Sequence, residues 1–125
     1  MNPFKLIKAM FTSVSQVQPS DAFARIRAGE ALLVDVREPS EWAGGVALHA
    51  KLLSFSDLNG PRTQWSAFLA GAAGREILVY CASGGRSGMV ARLLTGEGFR
   101  VSNTGGLSDW AAAKWPIVKP AKVRS

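Results

Sequence analysis

A lone cysteine between an apolar run and a helical pattern is the feature that most constrains this chain. Residues 77–80 are apolar and β-rich, as in a strand buried on both faces. Small residues follow Cys81, and from Ser87 onwards apolar side chains recur at helical spacing. We therefore predict Cys81 at the carboxyl end of a strand, beside a tight loop and a helix N-terminus. Ligands bind at this edge of open α/β sheets, so Cys81 is the first candidate functional residue.

The remaining apolar segments alternate between strand and helix patterns. We predict strands at residues 14–18, 31–36 and 100–102, with a weaker one at 52–55. Predicted helices follow at 19–28, 61–70 and 107–114, with a single helical turn at 39–42 and a glycine turn at 105–106. Helices that alternate with short apolar strands imply a mainly parallel central sheet with helices on both faces. The predicted fold class is α/β.

The length of 125 residues is that of one domain. We predict an N-terminal segment at residues 1–13, a domain at 14–118 and a basic C-terminal tail at 119–125, with the chain loosely attached from Pro116 onwards. The N-terminal segment combines two lysines with scattered apolar residues and lacks a signal-peptide pattern, so we expect a cytoplasmic protein. This segment could form a short amphipathic helix that docks on the domain.

Charge and composition exclude several classes of function. The net charge of +6 is scattered, without a basic helix or interleaved aromatic residues, so we predict attraction for small anions and no nucleic-acid partner. One cysteine and one histidine cannot form a Cys/His zinc site or an internal disulfide. No apolar run approaches the roughly 18 residues that span a bilayer. We predict no metal and no cofactor.

The surroundings of Cys81 favour a reactive thiolate. A helix N-terminus and the guanidinium of Arg86 both stabilise the anion. The small residues of the loop allow successive N–H groups to turn inward as an anion cradle, and Arg86 could hold an oxyanion. The alternative is an inert, buried cysteine, which is common in proteins. His49 is the only histidine, and its sequence context gives no reason to expect it to act as a base.

Three motifs together resemble the single-domain rhodanese (thiosulfate sulfurtransferase) family. They are Asp-Val-Arg-Glu-Pro-Ser-Glu-Trp at 35–42, Cys-Ala-Ser-Gly-Gly-Arg-Ser at 81–87 and Gly-Gly-Leu-Ser-Asp-Trp at 105–110. The resemblance covers residues 14–118 and implies a sulfur carrier. The cysteine would take a sulfane sulfur from an anionic donor such as thiosulfate or a persulfide. It would pass that sulfur to cyanide or another thiophilic acceptor, possible acceptor proteins included.

The resemblance also implies roles for individual residues. Cys81 would be the catalytic nucleophile, and Ser87 would help to hold the terminal sulfur. The substrate and persulfide cradle would consist of Ala82, Ser83, Gly84, Gly85 and Arg86, with Arg86 orienting the donor's oxygens. Apart from the resemblance, Asp35 ends a predicted buried strand, so we expect it to be a hydrogen-bonded anchor for nearby loops. We expect Arg37 to pair with Glu41 or another carboxylate and to brace the short turn, a structural role.

Loop length separates sulfur transfer from related chemistry. Four residues lie between Cys81 and Arg86, whereas the phosphatases and arsenate reductases of similar layout have five. The shorter loop favours a single sulfur over a phosphate-sized anion. Residues 45–54 depart from the family pattern, which leaves the local loop geometry and the rim of the acceptor site open. The alternatives are a non-enzymatic sulfur-relay or interaction module and, third, a small phosphatase or arsenate reductase.

Overall fold

The computed structural model describes residues 14–120, so the predictions for residues 1–13 and for the end of the basic tail lie outside it. The strands are β1 (Ser15–Gln16), β2 (Ala31–Asp35), β3 (Val46–Ala47), β4 (Lys51–Leu52), β5 (Glu76–Cys81), β6 (Val101–Gly106) and β7 (Ile117–Val118). The helices are α1 (Pro19–Arg27), α2 (Pro39–Trp42), α3 (Phe55–Leu58), α4 (Thr63–Gly71), α5 (Gly85–Gly96) and α6 (Leu107–Ala112).

The central sheet has five parallel strands in the order β1-β6-β5-β2-β4. Strand β5 lies in the middle, with β2 and β6 as its hydrogen-bonded neighbours. Asp35 at the end of β2 stands beside Tyr80 in the register. The predicted α/β class and parallel sheet are confirmed. The carboxyl ends of β2 and β5, which carry the sequence motifs, therefore meet at one edge of the sheet.

Two apolar layers cover the two faces of the sheet, because successive side chains of a strand point to opposite faces. Ile77, Val79 and Cys81 belong to the layer beneath α3, α4 and α5. Leu78 and Tyr80 belong to the layer beneath α1 and α6. Helices therefore flank both faces, as predicted. The alternation also places the side chain of Cys81 on the face that α5 covers.

The predicted strand at 52–55 is shorter than expected. Strand β4 ends at Leu52, and Ser54 caps the next helix, its hydroxyl oxygen accepting the N–H of Asp57 at 3.1 Å. Serine favours this N-cap position because its side chain satisfies a donor that the first helical turn leaves unpaired. The short apolar run thus divides between a strand and a helix.

Residues 117–118, which follow Pro116, are not loosely attached, contrary to the prediction. Strand β7 pairs with β3 in an antiparallel two-stranded sheet, with Val46 opposite Val118 and Ala47 opposite Ile117. The proline and lysine content suggested a detached tail, whereas pairing with a distant segment is a tertiary contact that composition does not reveal. No helix within residues 14–120 is long and apolar enough to cross a membrane.

Candidate active site

Cys81 is the last residue of β5, and the loop that follows folds back over its sulfur. The residue is buried, with 1% of its surface exposed. Gly84 has a φ of 101°, a left-handed conformation that glycine adopts without strain. This conformation directs the N–H of Gly84 onto the sulfur, with 3.0 Å between the nitrogen and Sγ. Helix α5 begins at Gly85, two residues earlier than the apolar pattern predicted, so its N-terminus lies directly at the sulfur.

The pKa of the Cys81 thiol is lowered despite its burial. Burial opposes the charged form and raises the pKa. Hydrogen bonds from the Ser87 hydroxyl and from the backbone N–H groups of Ser87, Ser83 and Gly84 outweigh that effect, since they stabilise the thiolate. The cradle predicted from the small residues is therefore made of backbone donors.

Asn103 on β6 supports this cradle and was missed in the sequence. Its Nδ2 donates to the carbonyl of Gly84 at 3.1 Å, and its Oδ1 accepts the N–H of Gly105 at 3.1 Å. These two backbone contacts fix the orientation of the amide. Oδ1 also accepts the hydroxyl of Ser87 at 2.7 Å, whereas the Ser87 oxygen is 3.4 Å from Sγ. Asn103 thus competes with the sulfur for the single hydroxyl proton of Ser87.

Gly106 lies against the other side of the loop. A Cβ at this position would overlap the carbonyl group of Ala82. The backbone of β6 therefore approaches the cysteine loop too closely for any side chain. The sequence predicted only a turn at Gly105 and Gly106, whereas β6 extends through both glycines.

Arg86 forms an ion pair with Glu41 that the sequence did not predict. Its Nη1 and Nη2 atoms contact the two carboxylate oxygens of Glu41 at 2.6 and 2.8 Å. The two side chains are about one-third exposed, at 33% and 31%. Arg86 pairing lowers the pKa of Glu41 to about 2, so the carboxylate is charged at neutral pH. We predicted that Arg86 would face the donor, but in this structure Glu41 holds its guanidinium.

Arg37 pairs with Asp35, one of the carboxylates that the prediction left open, and not with Glu41. The guanidinium contacts Asp35 through Nε and Nη2 at 2.9–3.1 Å. Asp35 also accepts hydrogen bonds from Trp42 Nε1 at 3.1 Å and Tyr80 Oη at 2.6 Å. Arg37 Nη2 also donates to the carbonyl oxygen of Gly45 at 2.7 Å. This contact holds the start of the loop at 45–54, which departs from the family pattern. The hydrogen bonds of this cluster join β2, α2 and β5, and none of those described connects its carboxylate to the cysteine loop.

The remaining predicted residues occupy different parts of the site. Ala82, Ser83 and Gly85 are exposed at the surface of the loop. His49 is also exposed and makes an edge contact with the ring of Trp115 at a centroid distance of 6.3 Å, which gives it no role at the sulfur. The residues that sequence reasoning missed are Asn103 and Glu41 as a partner of Arg86. Glu41 had only its position inside the motif at 35–42 as a signal, whereas Asn103 lies outside all three motifs and had none.

The geometry suits nucleophilic chemistry on sulfur. The thiolate is stabilised by N–H donors at a helix N-terminus, and no imidazole contacts it among the described residues. A nucleophile activated in this way needs a substrate with a good leaving group, because no base within residues 14–120 contacts the sulfur to remove a proton.

Comparison with known proteins shows which sequence family the chain matches. The model of the rhodanese-like domain matches residues 18–113, which include all three motifs. An uncharacterized protein of Synechocystis sp. is 37% identical over 90 residues, covering 70% of this chain and 47% of that protein. The chain thus corresponds to about half the length of this relative.

Solved structures show the same fold. A rhodanese-related protein from Thermoplasma volcanium superimposes with a TM-score of 0.70 at 25% identity, over 85% of this chain and 99% of that one. A protein of unknown function from Rhodopseudomonas palustris, described as a possible tyrosine phosphatase, gives a TM-score of 0.69 at 24% identity. The match covers 91% of each of the two chains, and at 24% identity it shows only that the fold is shared.

Proposed function

This chain belongs to the rhodanese-like domain family, and from that premise we propose that it is a thiosulfate sulfurtransferase acting through a persulfide on Cys81. The donor is a small anion with a sulfane sulfur, such as thiosulfate. The acceptor is cyanide or a thiol, including the thiol of an acceptor protein. We expect the protein to act in the cytoplasm.

The proposed cycle has two balanced steps. The Cys81 thiolate attacks the outer sulfur of thiosulfate, the S–S bond of the donor breaks, and sulfite leaves with the bonding electron pair. In the second step cyanide attacks the terminal sulfur of the persulfide, and thiocyanate leaves as the Cys81 thiolate returns. Neither step requires a proton to be removed, which fits a site whose sulfur is activated by hydrogen-bond donors alone.

The observation that carries this proposal is the backbone cradle around Sγ. The N–H of Gly84 at 3.0 Å and the N-terminus of α5 stabilise a negative charge on sulfur. The same donors can stabilise the outer sulfur of a persulfide. Four residues between Cys81 and Arg86 form a loop suited to one sulfur, which weighs against the phosphatase and arsenate reductase alternatives.

A mass measurement tests the proposal directly. We would incubate the reduced protein with excess thiosulfate, remove the donor and record the intact mass. We expect a gain of about 32 Da, one sulfur atom on the activated thiolate, that cyanide or dithiothreitol removes. Cys81→Ser is the control and should show no gain. Thiosulfate turnover retained in Cys81→Ser would contradict the proposed cycle.

A sulfur-relay module without thiosulfate turnover is the second candidate. The pairing of Arg86 with Glu41 favours it, because that pairing leaves less positive charge to attract a small dianion. Such a module would receive sulfur from a persulfide and not from thiosulfate. A mass gain with a persulfide donor but none with thiosulfate would support this candidate.

A further inference from the structure

The ion pair between Glu41 and Arg86 is held in place from both sides. Glu41 lies in α2, where its Oε1 also accepts the backbone N–H of Glu38 at 3.1 Å. Arg86 lies in the first turn of α5, immediately after the cysteine loop. Two short contacts to one carboxylate define a bidentate pair, the strongest geometry for these groups. The Glu41 carboxylate is therefore held in a fixed position beside the cysteine loop.

The pair controls charge close to the reacting sulfur. Arg86 lies in the first turn of α5, the helix whose N-terminus lies at the sulfur. Its pKa is raised, first by its hydrogen bond to Glu41 and also by its interactions with Cys81. The other arginine of the motifs, Arg37, is buried and paired with Asp35. A carboxylate thus neutralises each of these two arginines.

We propose that Glu41 is a specificity-determining residue that sets the charge of the sulfur donor. By occupying Arg86 it disfavours dianionic thiosulfate relative to donors with a single negative charge, such as organic thiosulfonates or thiol-bound persulfides. This inference rests on the proposed sulfur transfer at Cys81. Removing the carboxylate charge would free the guanidinium to bind the additional negative charge of thiosulfate.

Thiosulfate and methanethiosulfonate form a matched pair of donors. Each delivers its outer sulfur to the Cys81 thiolate by the same exchange. The donor S–S bond breaks as the persulfide bond forms, and the bonding electrons leave with sulfite from thiosulfate or methanesulfinate from methanethiosulfonate. The donors differ by one unit of charge, so the ratio of their kcat/KM values reports the charge preference of the site.

The first experiment measures that ratio in Glu41→Gln. The amide keeps the size of the side chain and one acceptor for the Glu38 N–H, while the charge is lost. We expect the ratio of thiosulfate to methanethiosulfonate kcat/KM to rise about threefold or more, as for one charge near a partly exposed site. Glu97→Gln is the control, because Glu97 forms a similar bidentate pair with Arg62 away from the cysteine loop. A ratio that stays constant or falls in Glu41→Gln would overturn the inference.

The second experiment requires no sulfur transfer. Iodoacetamide is uncharged and iodoacetate carries one negative charge, and both alkylate only the thiolate, so the ratio of their rates is independent of the thiol pKa. We expect Glu41→Gln to raise the iodoacetate-to-iodoacetamide ratio about threefold, and Glu97→Gln to leave it unchanged. An unchanged ratio in Glu41→Gln would contradict the proposed role of the Glu41 charge. Failure of both reagents to alkylate Cys81 would contradict it as well. A raised ratio in a protein that transfers no sulfur would instead reject the proposed function alone.

Discussion

The neighbouring strands β2 and β5 each present a polar group at the same edge of the sheet, but they stabilise it in different ways. The Asp35 carboxylate is fully buried and accepts hydrogen bonds from the side chains of Arg37, Trp42 and Tyr80. The Cys81 sulfur is held mainly by backbone N–H groups of its loop. The side-chain donors bind one particular carboxylate. The backbone N–H donors can stabilise negative charge on the Cys81 thiolate or on a sulfur bound to it. The first region maintains the fold, and the second is suited to chemistry.

Removing the Asp35 carboxylate should have the largest effect. Asp35→Ala leaves the Arg37 charge buried without its partner, along with two side-chain donors that lose their acceptor. We expect a loss of about 3–5 kcal/mol in the free energy of unfolding, measured by urea titration. Cys81→Ser is the matched comparison and should change it by less than about 1 kcal/mol. Equal losses in the two variants would abolish the distinction between the regions.

A methyl group at Gly106 should damage the cradle itself. In Gly106→Ala the added Cβ would overlap the Ala82 carbonyl, so the cysteine loop must move. We expect the free energy of unfolding to fall by about 1–3 kcal/mol. The pH midpoint of Cys81 alkylation by iodoacetamide should also rise, because the N–H donors are displaced from the sulfur.

The control for this substitution is Gly71→Ala, where a Cβ meets nothing within 4 Å and the backbone is helical. It should preserve both the stability and the alkylation profile. A Gly106→Ala protein with an unchanged alkylation midpoint would show that the close approach of β6 does not shape the cradle.

A charge at Asn103 should have the smallest effect of the three changes, measured here through the reactivity of the thiol. Asn103→Asp keeps acceptors for Ser87 and Gly105 but loses the donor to the Gly84 carbonyl. The new carboxylate opposes the thiolate, so the thiol pKa should rise and the alkylation rate at pH 7 should fall about threefold to tenfold. The direction follows from the sign, since a higher pKa leaves less thiolate at a given pH.

Asn59→Asp is the control for Asn103→Asp, because it adds the same charge at an exposed position. Its alkylation rate should match that of the parent protein. A similar fall of the alkylation rate in both variants would indicate a general effect of net charge. It would contradict the role of Asn103 in supporting the cysteine loop.

Local patterns predicted most of the elements. The run at 77–80, the small residues after Cys81 and the helical spacing from Ser87 have local causes, so the strand, loop and helix lie where expected. The predictions failed in two places, one decided by a local helix cap and the other by pairing between distant segments. Ser54 caps a helix in place of a strand residue, and the segment after Pro116 joins β3.

The sequence alone determined the fold class, the position of the cysteine and the motifs of its family, because periodicity and short spacings express local backbone preferences. The tertiary structure alone decided which charges meet. Arg86 pairs with Glu41, and Asn103 of β6 donates to the carbonyl of Gly84 and supports the loop. These partners depend on the register of adjacent strands and on the packing of α2 against the cysteine loop. Both bring together residues up to 45 positions apart, a separation that no local pattern encodes.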